Sequence, residues 1–261
     1  FGISWEVAFI CSSGFVLTST AIVMQVLGER KRLSTRPGQK MVSILLFEDL
    51  LIVPLLAIVT YLSPLETEST ISWWESATIA LVALAMLVLI GRFILNPVFR
   101  ILADSKAREV MTAAALFVVL GSALLMEEAG LSQAMGAFVA GVMLSESAFR
   151  HQLEADIEPF RGLLLGLFFL GVGMSLNLTV VAENWMLIGI GVFALMLTKG
   201  ICIYLVARAA KSTHKTAMER ALLMAQGGEF AFVLFAQAFN QKVIDETANA
   251  NMTAIVVLSM V

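Results

Sequence analysis

The chain has 261 residues, a formal net charge of −3, 59% hydrophobic and 14% charged residues, and a mean hydropathy of +0.89. A soluble globular domain carries roughly 25% charged residues, so this composition excludes one. Apolar stretches long enough to cross a hydrocarbon core of about 30 Å recur along the whole chain, which predicts an all-α polytopic membrane protein.

Nine apolar segments are predicted in chain order: roughly 5–27, 41–62, 73–96, 110–126, 131–146, 159–176, 184–207, 217–240 and 250–261. The first is interrupted by Thr18-Ser19-Thr20, the second by Glu48-Asp49 and Pro54, and the eighth by Gln226-Gly227-Gly228-Glu229. The seventh holds Lys199. The chain opens at Phe1 and stops at Val261 inside an apolar run, so the expectation is the middle of a longer protein. Cys11 and Cys202 fall within apolar segments and read as small hydrophobes rather than a metal framework. His151 and His214 read as loop residues.

Basic residues mark cytoplasmic loops. The loops around 28–40, 97–109, 147–158 and 208–220, with their edges, hold 14 of the 17 Lys and Arg residues. The intervening loops hold Lys242 alone, together with Glu66, Glu68, Glu127 and Glu128; Arg92 and Lys199 lie within segments. This alternation sends segment one from outside to inside and each later segment back again. It also accounts for the basic loops without a nucleic-acid partner.

An ionisable group in hydrocarbon costs at least about 2.5–3.5 kcal/mol on insertion scales, and two adjacent carboxylates cost more unless they meet a proton or a cation. Glu48 and Asp49 therefore point to an ion or proton pathway. At about 1.5 Å per helical residue, Asp49 and Lys199 both lie roughly 12 Å from the cytoplasmic side. Thr18, Ser19 and Thr20, and Gln226 and Glu229, fall in the same layer. The structural alternatives are hydroxyls satisfied by backbone carbonyls, a close helix contact at the glycine pair, a snorkelling lysine and a structural hydrogen-bonding role for Glu229. Segments one and eight break at matching places with opposite orientation, and such broken helices in two inverted halves mark transporter ion sites. On that correspondence, segment two pairs with segment nine.

Ser19-Thr20-Ala21-Ile22, Leu46-Phe47-Glu48-Asp49 with Pro54, Ala137-Phe138-Val139-Ala140-Gly141-Val142, the run 151–169 beginning His151-Gln152-Leu153-Glu154-Ala155-Asp156-Ile157-Glu158-Pro159, Val172-Gly173-Met174-Ser175, and Gln226-Gly227-Gly228-Glu229-Phe230 carry a resemblance. The chain resembles bacterial Kef-type monovalent cation:proton antiporters of the sodium/proton antiporter superfamily, over essentially its whole length. The resemblance implies inverted repeats with two crossed discontinuous helices, segments one and eight, and a core domain moving against a dimerisation domain in a homodimer of the bacterial inner membrane, surrounded by lipid. Asp49 matches the family's aspartate that carries cation or proton, and Lys199 the basic residue that pairs with the carboxylate site in the absence of a cation. Exchange then follows from competition, because the carboxylate holds either a proton or a potassium ion. Burial favours the neutral acid and a nearby ammonium the carboxylate.

Glu48 departs from the neutral Gln of typical potassium-efflux members; two acids are also seen in electrogenic sodium/proton exchangers, so sodium is the alternative substrate. Glu48, about 100° around the helix from Asp49, could instead pair structurally within the core domain. The resemblance further implies that the loop 146–161, with His151, Glu154 and Asp156, touches a cytoplasmic nucleotide-binding domain gated by glutathione and its adducts, or an ancillary subunit. That domain is absent from this chain, and the bland reading is a solvated loop. A cation channel would favour a continuous pore over paired broken helices. An intramembrane aspartyl protease needs aspartates on facing helices, and here the two acids are neighbours on one. No phosphate loop or nucleophile elbow is present, so an enzyme is not expected.

Overall fold

The computed structural model describes residues 4–64, 73–104, 108–175 and 177–260; Glu66, Glu68 and Lys106 lie outside them. Among the described residues every regular element is a helix. The chain divides into two compact units, residues 1–65 with 175–261, and residues 66–174.

The first unit holds α1 (Trp5–Val16), α2 (Thr20–Glu29) and α3 (Arg36–Tyr61). Ser4 caps α1 by accepting the Val7 N–H at 3.4 Å. Between α1 and α2 the chain is extended at Leu17 and Ser19. The hydroxyls of Thr18, Ser19 and Thr20 offer the backbone alternatives to helical bonding, and Ser19 Oγ restarts the helix by accepting the Ile22 N–H at 3.3 Å. In α3, Thr35 caps the N-terminus and Pro54 sits within the helix, where it withholds the N–H that the Leu50 carbonyl would take.

The second unit holds α4 (Trp73–Ile90), a π-helical turn (Gly91–Leu95), α5 (Asn96–Asp104), α6 (Arg108–Glu128), α7 (Gln133–Ser145) and α8 (Arg150–Ser175, whose last residue falls in the first unit). Its core is Leu95, Phe99, Met111, Ala115, Leu144 and Leu153. Asn96 Oδ1 takes the Ser147 hydroxyl at 3.1 Å and the Ala148 N–H at 3.2 Å, which fixes the turn before α8.

The expected cytoplasmic loop at 146–161 is corrected here: the chain is helical from Arg150, through His151, Glu154 and Asp156, and past Pro159. Its charged residues pair one turn apart, His151 with Glu154 and Arg161 with Glu158, each at 3.9 Å. A polar extension of an apolar helix breaks the hydropathy pattern without breaking the helix.

The first unit continues with α9 (Leu178–Glu183), α10 (Trp185–Ala209), α11 (His214–Met224), α12 (Glu229–Asn240) and α13 (Glu246–Met260). His214 is the first residue of α11 rather than a loop residue, with Nδ1 2.8 Å from the Tyr204 hydroxyl. Apolar clusters of this unit include Val23, Leu27, Met41, Leu45 and Met224, and Ile188, Leu195, Ala254 and Ile255. Phe15 meets Phe235 edge-on at 5.9 Å between ring centroids.

Among the described residues, six helical spans are long and apolar enough to cross a membrane, or seven if the bent pair α11 and α12, at 45°, counts as one. α7, with 13 residues, and α13, with 15, are shorter than the ~20 that a full crossing needs.

Candidate functional site

The site is built where two interrupted helices meet. The α1–α2 break (residues 17–19) and the α11–α12 break (residues 225–228) are joined by a hydrogen bond from the Ser19 N–H to the Gly227 carbonyl, at 3.1 Å. A Cβ on Gly228 would lie 2.7 Å from the carbonyl carbon and oxygen of Thr18, so only glycine lets the two backbones touch here. Each break exposes one helix C-terminus, with unsatisfied carbonyls and partial negative charge, and one N-terminus, with unsatisfied amides and partial positive charge. The crossing therefore needs a cation on one side and anions on the other.

Lys199 of α10 supplies the cation. Its Nζ donates to the Leu17 carbonyl at 2.8 Å and to the Gln226 carbonyl at 2.9 Å, one from each break. The ammonium sits on the C-terminal ends of α1 and α11 together. No ion pair within 4 Å joins it to a carboxylate among the described residues. The resemblance implies that Lys199 pairs with the carboxylate site in the absence of a cation; here its hydrogen bonds go to backbone carbonyls.

The anions come from α3 and α12. The Thr20 hydroxyl, at the first residue of α2, donates to Asp49 Oδ2 at 3.0 Å. Glu48 Oε2 accepts the Thr18 N–H at 3.0 Å. Glu229 is the first residue of α12, where its charge suits the positive helix end. Glu48 and Glu229 both lie within electrostatic reach of Asp49, and Lys199 within reach of Glu48.

All eight transport residues predicted from the sequence, Thr18, Ser19, Thr20, Glu48, Asp49, Lys199, Gln226 and Glu229, lie on the two breaks or on helices bonded to them. Their roles differ in kind. Thr18 acts through its amide, Ser19 as a helix cap, and Gln226 through its carbonyl. At the crossing, two buried polar atoms, Gln226 Nε2 and Glu229 Oε2, have no hydrogen-bond partner among the described residues. Such atoms are costly, and an ion or a water would supply the partner that each lacks. His151, Glu154 and Asp156 belong to the second unit. Sequence reasoning missed Leu17, whose contribution is a backbone oxygen. It also missed Ser259, whose hydroxyl accepts the Gly227 N–H at 2.9 Å; a lone serine in an apolar run carries no signal.

Paired broken helices crossing at carboxylates inside a bundle of membrane-spanning helices define a secondary ion transporter. The chain belongs to the sodium/hydrogen exchanger family: the family model described as "Sodium/hydrogen exchanger, transmembrane" matches residues 1–261. This is a family of exchangers rather than enzymes. A glutathione-regulated potassium-efflux system protein of Haemophilus influenzae is 55% identical over 260 residues, covering 99% of this chain and 42% of that protein. The glutathione-regulated potassium-efflux system protein KefC of Cronobacter sakazakii is 43% identical with the same coverage, and that of Escherichia coli 42% identical. The chain thus spans about two fifths of the length of these curated relatives. With bacterial relatives, a transmembrane exchanger family and several apolar helices long enough to cross a membrane among the described residues, it is a multi-pass protein of the bacterial inner membrane.

Proposed function

We propose that this chain is the ion-translocating part of a potassium/proton antiporter, in which proton and potassium compete for Asp49. The observation that carries the reading is a charge imbalance. Glu48, Asp49 and Glu229 gather at the crossing with one ammonium, and that ammonium is spent on the carbonyls of Leu17 and Gln226. Asp49 keeps a single hydroxyl donor, from Thr20. A low-dielectric site with more carboxylates than cations is completed by protons or by metal cations, and a site completed by either one exchanges them.

Potassium is favoured by two observations. The relatives are named as potassium-efflux proteins. Glu48 is occupied as an acceptor for the Thr18 amide, which a glutamine side chain would serve equally well, so the second acid does not require a second transported charge. Efflux of potassium coupled to proton entry by alternating access then needs one carrier, Asp49. The relatives' greater length and their names support a further regulatory part that responds to glutathione; that it is a cytoplasmic nucleotide-binding domain, or an ancillary subunit, acting on the α8 segment with His151, Glu154 and Asp156 is what the Kef-type resemblance implies. A homodimer in lipid is the expected assembly.

The test is proton flux in liposomes holding the full-length protein, driven by a potassium or a sodium gradient, in wild type and Asp49→Asn. Potassium-driven flux that vanishes in the variant supports the reading. Flux with sodium alone moves it to a sodium/proton exchanger using Glu48 and Asp49, and undiminished flux in the variant removes Asp49 as carrier.

A further inference from the structure

Two peptide groups at the crossing are held in the same way. The Leu17–Thr18 peptide gives its carbonyl to Lys199 Nζ and its N–H to Glu48 Oε2. The Gln226–Gly227 peptide gives its carbonyl to the same Nζ and its N–H to Ser259 Oγ. Each is clamped across its own plane, by the shared ammonium on one edge and a side chain on the other. The clamping side chains sit at matching places, on the helix after the broken pair: Glu48 on α3 follows Thr18 by 30 residues, and Ser259 on α13 follows Gly227 by 32. The elements α1–α2–α3 and α11–α12–α13 thus repeat one arrangement around Lys199.

We propose that Ser259 is a positioning residue for transport, the second-repeat counterpart of Glu48, which orients the Gln226–Gly227 peptide so that its carbonyl holds the Lys199 ammonium away from the carboxylates. Its hydroxyl donates to the Val256 carbonyl at 2.7 Å, which turns a lone pair toward the Gly227 amide. Ser259 is only 5% exposed, so water is a poor substitute for that lone pair. A Cβ on Gly227 would sit 2.8 Å from Val256 Cγ1 and 3.2 Å from Ser259 Oγ, so the glycine is what brings the peptide onto α13. Without the hydroxyl the amide is left buried and unpaired. The peptide then rotates to find an acceptor and withdraws its carbonyl from Lys199. The ammonium, holding one carbonyl instead of two, turns toward the carboxylates and competes with the transported cation at Asp49. The pair differs in one respect: Glu48 brings a charge to its amide and Ser259 does not.

The transport consequence rests on the antiport reading; the clamp itself does not. Two measurements on the full-length protein separate them. Amide hydrogen exchange of residues 225–230 reads the clamp, and the potassium concentration giving half-maximal proton flux reads its consequence. Ser259→Ala is expected to speed exchange at Gly227 by at least about tenfold, as fits a buried amide left unpaired. It is expected to raise the half-saturating potassium concentration by about three- to tenfold, with the maximal rate within about twofold of wild type. Ser259→Thr, which keeps a hydroxyl able to bond back along the helix, restores both. If the alanine variant is not recovered folded, Ser259→Cys, with a weaker acceptor of similar size, should move both readouts in the same direction. Exchange at Gly227 unchanged in the alanine variant, or a threonine variant as impaired as alanine, overturns the proposal. Wild-type protein without cation-driven flux would overturn the antiport reading alone, and the exchange arm would still decide the role of Ser259.

Discussion

Lys199 Nζ lies 2.8 Å from the carbonyl oxygen of Leu17, the residue at which α1 ends. The lysine therefore works first as a cap for a helix that stops in mid-membrane, and through the Gln226 carbonyl it does the same for α11. Removing one partner of a buried charged contact is costly because the others stay buried. Lys199→Ala should lower stability by about 2–6 kcal/mol, for two carbonyls each left unsatisfied at about 1–3 kcal/mol. The check is the thermal unfolding midpoint of purified protein. Lys199→Arg, which keeps the charge and the donors, should lose less. Equal midpoints for wild type and alanine would show that the contacts seen here contribute nothing.

Asp49 is expected to make the affinity for the cation depend on pH through direct competition. Below the protonation range of the site, each cation that binds displaces one proton. The half-saturating cation concentration should then rise about tenfold for each unit of falling pH, with the maximal rate unchanged. Thr20→Val removes the hydroxyl on Oδ2 but keeps the side-chain shape. It should weaken cation binding by about ten- to a hundredfold, the worth of one hydrogen bond to a charged group at about 1.5–3 kcal/mol. Maximal rate falling with pH at constant half-saturation would argue against competition at one carboxylate. Flux assays at four or five pH values decide it.

Much of this site was legible in the residues, and the reason is cost. Carboxylates and a lysine do not persist in apolar segments without a function, so Glu48, Asp49 and Lys199 announced themselves, and hydroxyl and glycine clusters marked the two breaks. The all-α fold was equally legible, because apolar runs of membrane length admit little else. What stayed hidden was made of backbone. Which carbonyl takes Lys199, and which amide takes Glu48, depends on the rotation of peptides in the two breaks, and side-chain identity does not report that. Ser259 was hidden because one hydroxyl in a helix is usually satisfied by its own carbonyls. The helical run from Arg150 to Glu158 was read as a loop because charge outside the membrane looks the same in either conformation.

Glu48→Gln separates structural acceptor from ion carrier. Glutamine Oε1 can take the Thr18 N–H as Glu48 Oε2 does at 3.0 Å. If Glu48 serves only as acceptor, the variant keeps potassium-driven proton flux within about threefold of wild type, whereas Glu48→Ala, which orphans a buried amide, loses about tenfold or more. Loss of flux in both would give Glu48 a transported charge. Measuring charge movement alongside proton flux distinguishes the two outcomes, since a second carrying acid changes the net charge moved per cycle.

Gly228→Ala tests the crossing itself. The added methyl would lie 2.7 Å from the carbonyl carbon and oxygen of Thr18 and 3.1 Å from the Leu17 carbonyl carbon. These are backbone atoms, so no rotamer change relieves the clash, and the breaks must separate. Overpacking of this kind costs about 1–3 kcal/mol, and here separation also strains the Ser19–Gly227 hydrogen bond of 3.1 Å. The variant should show a lower unfolding midpoint and flux reduced by at least about tenfold. A folded Gly228→Ala protein with wild-type flux would mean that the two breaks need not touch for ions to cross, and the crossing would then be a consequence of packing rather than the seat of exchange.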